Sequence, residues 1–205
     1  MNMHALAAFL LAEWMENLAV VATVAGIWLT ARRKLICWPV TLLADLLYLA
    51  VFYQARLFSD SLLQIFFVGF TLYGWWHWWR GMQQEGEVRV VPQSKLHMLR
   101  DLAVGALFAV LLGWLMERVG AALPHLDAAL ASFSLVASWW QARKHMANWL
   151  LWIAVDAIYV WEYHYKGLQP TALLYVGLIV LAVMGLVEWR RAGLQSAETS
   201  AATAA

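Results

Sequence analysis

Long apolar segments separated by short charged clusters constrain the fold of this chain more than any other feature. Seven such segments lie at residues 17–31, 36–54, 60–79, 102–116, 127–142, 149–165 and 171–189. Crossing the hydrocarbon core takes about 17–25 mostly apolar residues in a helix, and the segments reach or approach that length. Because 63% of the 205 residues are hydrophobic and only 13% are charged, a soluble domain of this size could not cover its apolar surface. The sequence therefore predicts an all-α membrane protein with seven transmembrane helices.

The distribution of polar residues predicts one membrane domain at residues 1–191. Residues 80–122 contain a polar loop and a linker helix between two groups of three spans, at 17–79 and 127–191. The first twelve residues are apolar but have no basic region or cleavage site, so we expect an interfacial helix rather than a signal peptide. Residues 192–205 are small and polar, and we expect them to be disordered.

The basic residues predict the orientation, because lysine and arginine accumulate in cytoplasmic loops. With the N-terminus outside, eleven of the 14 basic residues face the cytoplasm. A packed soluble core would not sort its charges by loop in this way. The sequence predicts a multi-pass protein of the bacterial inner membrane, N-terminus outside and C-terminus inside.

The chain repeats itself at an offset of 111 residues without a gap. Residue types that are uncommon in hydrophobic runs set the register, so hydrophobicity alone does not explain the match. The equivalent pairs include Trp28 and Trp139, Trp38 and Trp149, Asp45 and Asp156, Tyr48 and Tyr159, Gly74 and Gly185, and Trp78 and Trp189.

This repeat predicts a 3+1+3 arrangement. Three crossings invert the chain and the linker helix restores its direction, so the two units lie parallel. Parallel repeats are a known plan for transporters, with the solute site between the units near the midplane. A channel or a receptor could also arise by duplication.

Two carboxylates, Asp45 and Asp156, lie near the middle of predicted spans. Each would cost about 2.5–3.5 kcal/mol if it faced lipid, so each must face the protein interior, a partner or a water-filled cavity. Residues three and four apart share a helix face with them. The resulting candidate substrate-binding residues are Asp45, Tyr48, Gln64, Trp75, Trp78, Asn148, Trp149, Trp152, Asp156 and Tyr159.

An aromatic cavity with a few carboxylate, hydroxyl and amide groups suits a flat organic solute. Ring faces provide stacking, and they attract a delocalised positive charge by about 0.5–2 kcal/mol per contact. The alternative is structural: each aspartate accepts a hydrogen bond from a tyrosine or a neighbouring helix, and the aromatic rings belong to the core.

Other classes of function find little support. A net charge of +1 gives no electrostatic basis for nucleic-acid binding, and the single cysteine, Cys37, excludes an intramolecular disulfide. The histidines are too dispersed for a metal or haem site, and no cofactor is expected. Nucleotide-binding and hydrolase motifs are absent. An intramembrane aspartyl protease is a remote alternative because it needs two carboxylates, but neither aspartate is flanked by glycine.

Three stretches resemble the PnuC family of vitamin transporters, and the resemblance extends over residues 16–189. Paired W-x-x-W elements are fairly specific when they accompany the duplication. The stretches are Phe58-Ser59-Asp60-Ser61-Leu62-Leu63-Gln64, Tyr73-Gly74-Trp75-Trp76-His77-Trp78, and Arg143-Lys144 followed by Asn148-Trp149-Leu150-Leu151-Trp152.

The resemblance implies a SWEET-like fold of seven helices, often trimeric. It also implies uptake of nicotinamide riboside by facilitated diffusion, followed by trapping through a separate kinase. Thiamine is the alternative substrate because it is also a flat cation. Riboflavin, which other family members carry, is neutral and larger and so matches two carboxylates poorly.

Overall fold

Seven α-helices form the regular structure of the residues described by the computed structural model, which are 3–56, 58–118 and 123–204. The predicted fold class is thereby confirmed. The helices are α1 (Met3–Ala31), α2 (Cys37–Gln54), α3 (Phe58–Glu85), α4 (Lys95–Arg118), α5 (Pro124–Ala142), α6 (Ala147–Tyr165) and α7 (Gln169–Ala204).

Helices are expected here because a chain in hydrocarbon must satisfy its backbone polar groups internally. Within the described part of the chain, α1, α2, α4 and α7 are long and apolar enough to cross a membrane by length and composition alone. The other three, with 28, 19 and 19 residues, are long enough but less apolar. Some of their polar residues line the central cavity described below.

The helix ends differ from those expected at both termini. α1 is continuous from Met3, so the described part of the first twelve residues is not a separate helix. Helix α7 includes residues 192–204, where we expected disorder, and its last residues are rich in alanine, the best helix former.

Six helices form a closed ring. Each of α1, α2, α3, α5, α6 and α7 packs on the next, and α7 returns to α1. The linker helix α4 packs only on α5 among the described helices and therefore lies outside the ring. The seams between the two units are α3 with α5 and α7 with α1, which are equivalent positions under the 111-residue offset.

Equivalent turns end the first helix of each unit. Arg33 and Lys144 have positive φ angles of 56° and 65°. The next residue in each turn donates its backbone N–H to a carbonyl in the last turn of the helix, from Lys34 to Leu29 (3.0 Å) and from His145 to Trp140 (2.9 Å). This is the Schellman arrangement, which satisfies carbonyls left free at a helix end. The repeat therefore extends to the backbone conformation of its turns.

Candidate functional site

A cavity of about 330 Å³ lies inside the ring and is lined by all six ring helices. Its lining follows the repeat closely. On α2 and α6, the pairs Trp38 and Trp149, Thr41 and Trp152, Asp45 and Asp156, Tyr48 and Tyr159, and Phe52 and Tyr163 occupy equivalent places.

Seven of the ten predicted site residues line this cavity: Asp45, Tyr48, Gln64, Trp149, Trp152, Asp156 and Tyr159. They belong to α2, α3 and α6, and the four on α6 are spaced three and four residues apart, so they share one face of that helix.

The other three, Trp75, Trp78 and Asn148, lie outside the lining. Trp78 is fully buried in the core, and Trp75 packs against that core. The Asn148 side chain is also buried and donates its Nδ2 to the His145 carbonyl at 2.6 Å. This hydrogen bond joins Asn148, in the first turn of α6, to the turn that precedes that helix.

The two central aspartates have different surroundings. Thr71 Oγ1 donates a hydrogen bond to Asp45 Oδ2 at 2.7 Å. The residue equivalent to Thr71 in the second unit is Ala182, which cannot donate one. Among the described residues Asp156 has no ion-pair or hydrogen-bond partner, although its residue is only 5% exposed. Asp156 is thus a buried carboxylate beside a cavity, and the described side chains provide no counter-charge for it.

Polar residues of α5 complete the lining and were not among the predicted site residues. Ser134, Ser138 and Gln141 line the cavity, and they are spaced four and three residues apart. The same spacing rule that selected the α6 residues would have found them, but serine in a helix is a weaker signal than a charged residue.

Aromatic rings crowd one side of the cavity. Tyr175 lies with its ring centre 4.7 Å from that of Tyr159 and 5.3 Å from that of Tyr163. The indole N–H groups of Trp38 and Trp149 are buried and have no hydrogen-bond partner among the described atoms. The cavity therefore offers ring faces for stacking.

A cluster of four tryptophans, Trp38, Trp78, Trp149 and Trp189, closes the cavity at the end that carries the basic turns. Trp38 and Trp149 contact the cavity, and Trp78 and Trp189 pack behind them, with neighbouring ring centres 5.1 to 5.8 Å apart.

Hydrogen bonds from this cluster cross the seams between the units. Trp78 Nε1 donates to the Ala142 carbonyl at 3.2 Å, and Trp189 Nε1 donates to the Thr30 carbonyl at 3.1 Å. At the opposite end the lining reaches Asp60, which is exposed.

Charged residues surround that opposite end. Lys166 hydrogen-bonds the buried Glu162 and lies 4.0 Å from Asp127. The hydrogen bond to Glu162 raises the pKa of Lys166. Within the described ranges no group of histidine, cysteine and acidic side chains is placed to hold a metal ion.

Comparisons with known proteins point to one family. A family model described as nicotinamide mononucleotide transporter matches residues 13–191. The nicotinamide riboside transporter PnuC of Escherichia coli (strain K12) is 27% identical over 203 residues, covering 86% of this chain and 85% of that protein. The riboflavin/roseoflavin transporter RibM of Streptomyces davaonensis is 28% identical over 163 residues, covering 77% and 76%.

A solved structure shares the fold. The crystal structure of the vitamin B3 transporter PnuC superposes with a TM-score of 0.72 and covers 94% of this chain and 87% of that one, at 20% sequence identity. The seven-helix arrangement is therefore that of a known transporter.

Proposed function

The chain belongs to the nicotinamide mononucleotide transporter family, and on that premise we propose that it carries nicotinamide riboside across the bacterial inner membrane. This solute combines a flat pyridinium cation with a ribose. Relatives named as nicotinamide riboside transporters match along most of their length, which supports the assignment.

The observation that carries the proposal is the unpaired carboxylate of Asp156 inside an aromatic cavity. Ionisable groups within a membrane mark solute pathways, and a buried charge without a partner is unfavourable. A pyridinium ring would supply the missing charge and stack on the tyrosine and tryptophan faces. The hydroxyls of Ser134 and Ser138 and the amides of Gln64 and Gln141 are available for the ribose.

We propose facilitated diffusion as the mechanism, with the solute unchanged in transit and trapped by a separate kinase. The tryptophan cluster blocks passage toward the basic turns, so release on that side requires its seam hydrogen bonds to break. Each seam joins one unit to the other, so a rocking motion of the units would open it. We further propose that the N-terminus is outside and that the chain forms a homo-oligomer, as the family resemblance implies.

Riboflavin is the second candidate solute because RibM, a riboflavin/roseoflavin transporter, is 28% identical to this chain, although over a shorter stretch than the Escherichia coli nicotinamide riboside transporter. Riboflavin is neutral and would leave Asp156 without a counter-charge. Thiamine, a flat cation, satisfies the charge argument, although its two rings differ in shape from a nucleoside.

Titration of the purified protein with the three vitamins by isothermal calorimetry tests the assignment. Nicotinamide riboside should bind at least about tenfold more tightly than riboflavin, the effect of about one charge-assisted contact. It should also bind more tightly than thiamine, whose two rings differ in shape from a nucleoside. Preferential binding of riboflavin would overturn both the substrate and the role of Asp156 as counter-charge. Preferential binding of thiamine would overturn the substrate but leave that role intact.

A further inference from the structure

A second cavity, of about 460 Å³, lies outside the ring interior between the end of α3 and the turn that joins α5 to α6. Its charged and titratable lining residues are His77, Arg80, Arg143, Lys144 and His145. The remaining lining residues are uncharged, and no acidic side chain among the described residues contributes to it. We call this cavity the basic pocket.

Backbone contacts hold the basic pocket in shape. The Val91 N–H donates to the Lys144 carbonyl at 2.9 Å, and His145 Nδ1 lies 3.0 Å from the Val91 carbonyl. The loop after α3 is thereby tied to the turn before α6. Arg80 and Arg143 lie over the rings of Trp76 and Trp139, at 4.8 and 5.0 Å from the ring centres.

Lys144 is unusual for a lysine because it is buried, with 5% of its surface exposed. The ion pairs among the described side chains involve Arg89, Arg100, His125 and Lys166, and none of them involves Lys144, Arg80 or Arg143. The Lys144 ammonium lies against Gly81, where an added Cβ would be 2.6 Å from Nζ. A buried ammonium without a carboxylate is unfavourable unless an anion accompanies it.

The repeat provides an internal comparison. At the equivalent place in the other unit, Glu188 stands where the basic pocket has His77, and Ala192 stands where it has Gly81. Arg33, equivalent to Lys144, is hydrogen-bonded to the Val88 carbonyl at 3.2 Å. The other unit therefore has a carboxylate where the basic pocket has a histidine, and a methyl group where the basic pocket has a glycine. A general accumulation of basic residues on one membrane face would not produce this difference.

We propose that the basic pocket binds the phosphate group of a ligand. Guanidinium and ammonium groups are the preferred partners of phosphate, and two arginines converge here with one buried lysine. The pocket lies at the end of the bundle that carries the basic turns, beside the partly exposed Trp76. Two sources of phosphate fit this place: the headgroup of an anionic phospholipid, and a soluble phosphorylated compound.

Binding to the purified full-length protein tests the proposal with two probes. Inorganic phosphate is titrated by calorimetry, and retention of phosphatidylglycerol against phosphatidylcholine is measured by native mass spectrometry. Saturable phosphate binding identifies a soluble ligand, and selective retention of phosphatidylglycerol identifies a lipid headgroup. If neither probe binds, the proposal is wrong.

A matched pair of variants distinguishes binding in the basic pocket from general attraction to the positive charge at that end of the bundle. The double variant Arg80→Gln with Arg143→Gln should weaken whichever probe binds by about tenfold or more, the effect of losing a charge-assisted contact. The control, Arg32→Gln with Arg191→Gln, removes the two equivalent arginines from the other unit and should have little effect. Equal losses in both would overturn the proposal.

A third variant tests the comparison between the units directly. His77→Glu places in the basic pocket the carboxylate that the other unit carries at position 188, and it should abolish binding of either probe. Unchanged binding would contradict a phosphate site that depends on the absence of a nearby acid. Calorimetry with nicotinamide riboside reports separately on the central cavity, which this variant leaves intact.

Discussion

At the residue scale, Asp156 and Asp45 occupy equivalent places but differ in one neighbour. Thr71 donates a hydrogen bond to Asp45, whereas Ala182 leaves Asp156 without one. The first unit therefore stabilises its carboxylate partly from within the protein. In the second unit, a solute in the cavity would have to provide the partner for the Asp156 carboxylate. The two units therefore differ at the place where we expect the solute to bind.

Replacing Asp156 with asparagine should separate charge from shape. We expect Asp156→Asn to weaken nicotinamide riboside binding about tenfold or more, since the loss of a buried ionic partner costs about 1.5–3 kcal/mol. The neutral dihydro form of the same nucleoside should bind to Asp156→Asn with nearly the same affinity as to the unaltered protein. Asp45→Asn should have a smaller effect because Thr71 already partners that carboxylate. Calorimetric titration measures both ligands, and equal losses for the charged and neutral forms would show that Asp156 is a structural acceptor.

The ring of Trp152 is expected to contact the solute. Trp152→Ala should reduce the binding free energy by about 1–2 kcal/mol, the scale of one stacking or cation–π contact. Trp161, on the same helix but 59% exposed and outside the cavity lining, provides the control, and Trp161→Ala should leave the affinity unchanged. An unaltered affinity in Trp152→Ala would assign that ring to packing.

The sequence was most informative for the two charged site residues and less so for the aromatic and amide residues. Aspartate in a membrane helix has few explanations, so residue type and helical spacing were enough to place Asp45 and Asp156 in the interior. Trp78 and Asn148 share the residue types of a binding site, but their hydrogen bonds go to backbone carbonyls across a seam or within a turn. Such pairings depend on tertiary contacts that helical spacing does not contain.

At the element scale, close helix packing depends on two equivalent glycines. A Cβ at Gly74 would overlap the Trp38 ring, and one at Gly185 would lie 2.6 Å from the Trp149 ring. Each glycine lets the last helix of its unit pack closely against a tryptophan that lines the cavity. The 111-residue repeat already paired these glycines, but only the structure shows which ring each one accommodates.

Alanine at Gly185 should therefore destabilise the protein. We expect Gly185→Ala to cost about 1–3 kcal/mol, the range for overpacking a closely packed core, and to lower the midpoint of thermal unfolding in detergent. Gly177, on the same helix, has open space where a Cβ would lie, with no atom within 4 Å, so Gly177→Ala should be neutral or slightly stabilising. A neutral Gly185→Ala would mean that Trp149 can move away without loss.

The sequence predicts the number of helices correctly, but it places the ends of α3 and α7 too early in the chain. Hydropathy locates the hydrocarbon-crossing part of a helix, but α3 and α7 continue as helices beyond it, to Glu85 and Ala204. Backbone hydrogen bonding and alanine-rich composition sustain a helix in water as well as in lipid. The hydropathy signal therefore marks the membrane boundary rather than the end of the helix.

At the scale of the whole molecule, the distribution of basic residues predicts which end faces the cytoplasm. Reporter fusions after Arg33, Arg89, Arg143 and Arg191 should behave as cytoplasmic. Fusions after Gln54, His125 and Lys166 should behave as external, because each lies at the end with few basic residues. A cytoplasmic signal at His125 would contradict the passage of α4 through the membrane.

The central cavity inside the ring of six helices has two different ends. The tryptophan cluster closes one end through hydrogen bonds between the units, while the lining reaches an exposed acidic residue at the other. In the mechanism that we propose, the solute site lies between the two units, and the units rock relative to each other. Under the proposed facilitated diffusion, equilibration of the solute needs no energy source other than its own gradient.

Flux of labelled nicotinamide riboside into liposomes that contain only this protein tests transport most directly. With no ion gradient and no nucleotide present, facilitated diffusion predicts uptake until the internal and external concentrations are equal, and uptake in Asp156→Asn liposomes should be slower at low solute concentration. Uptake no faster than in protein-free liposomes would contradict transport of this solute, and accumulation above the external concentration when an ion gradient is imposed would contradict facilitated diffusion.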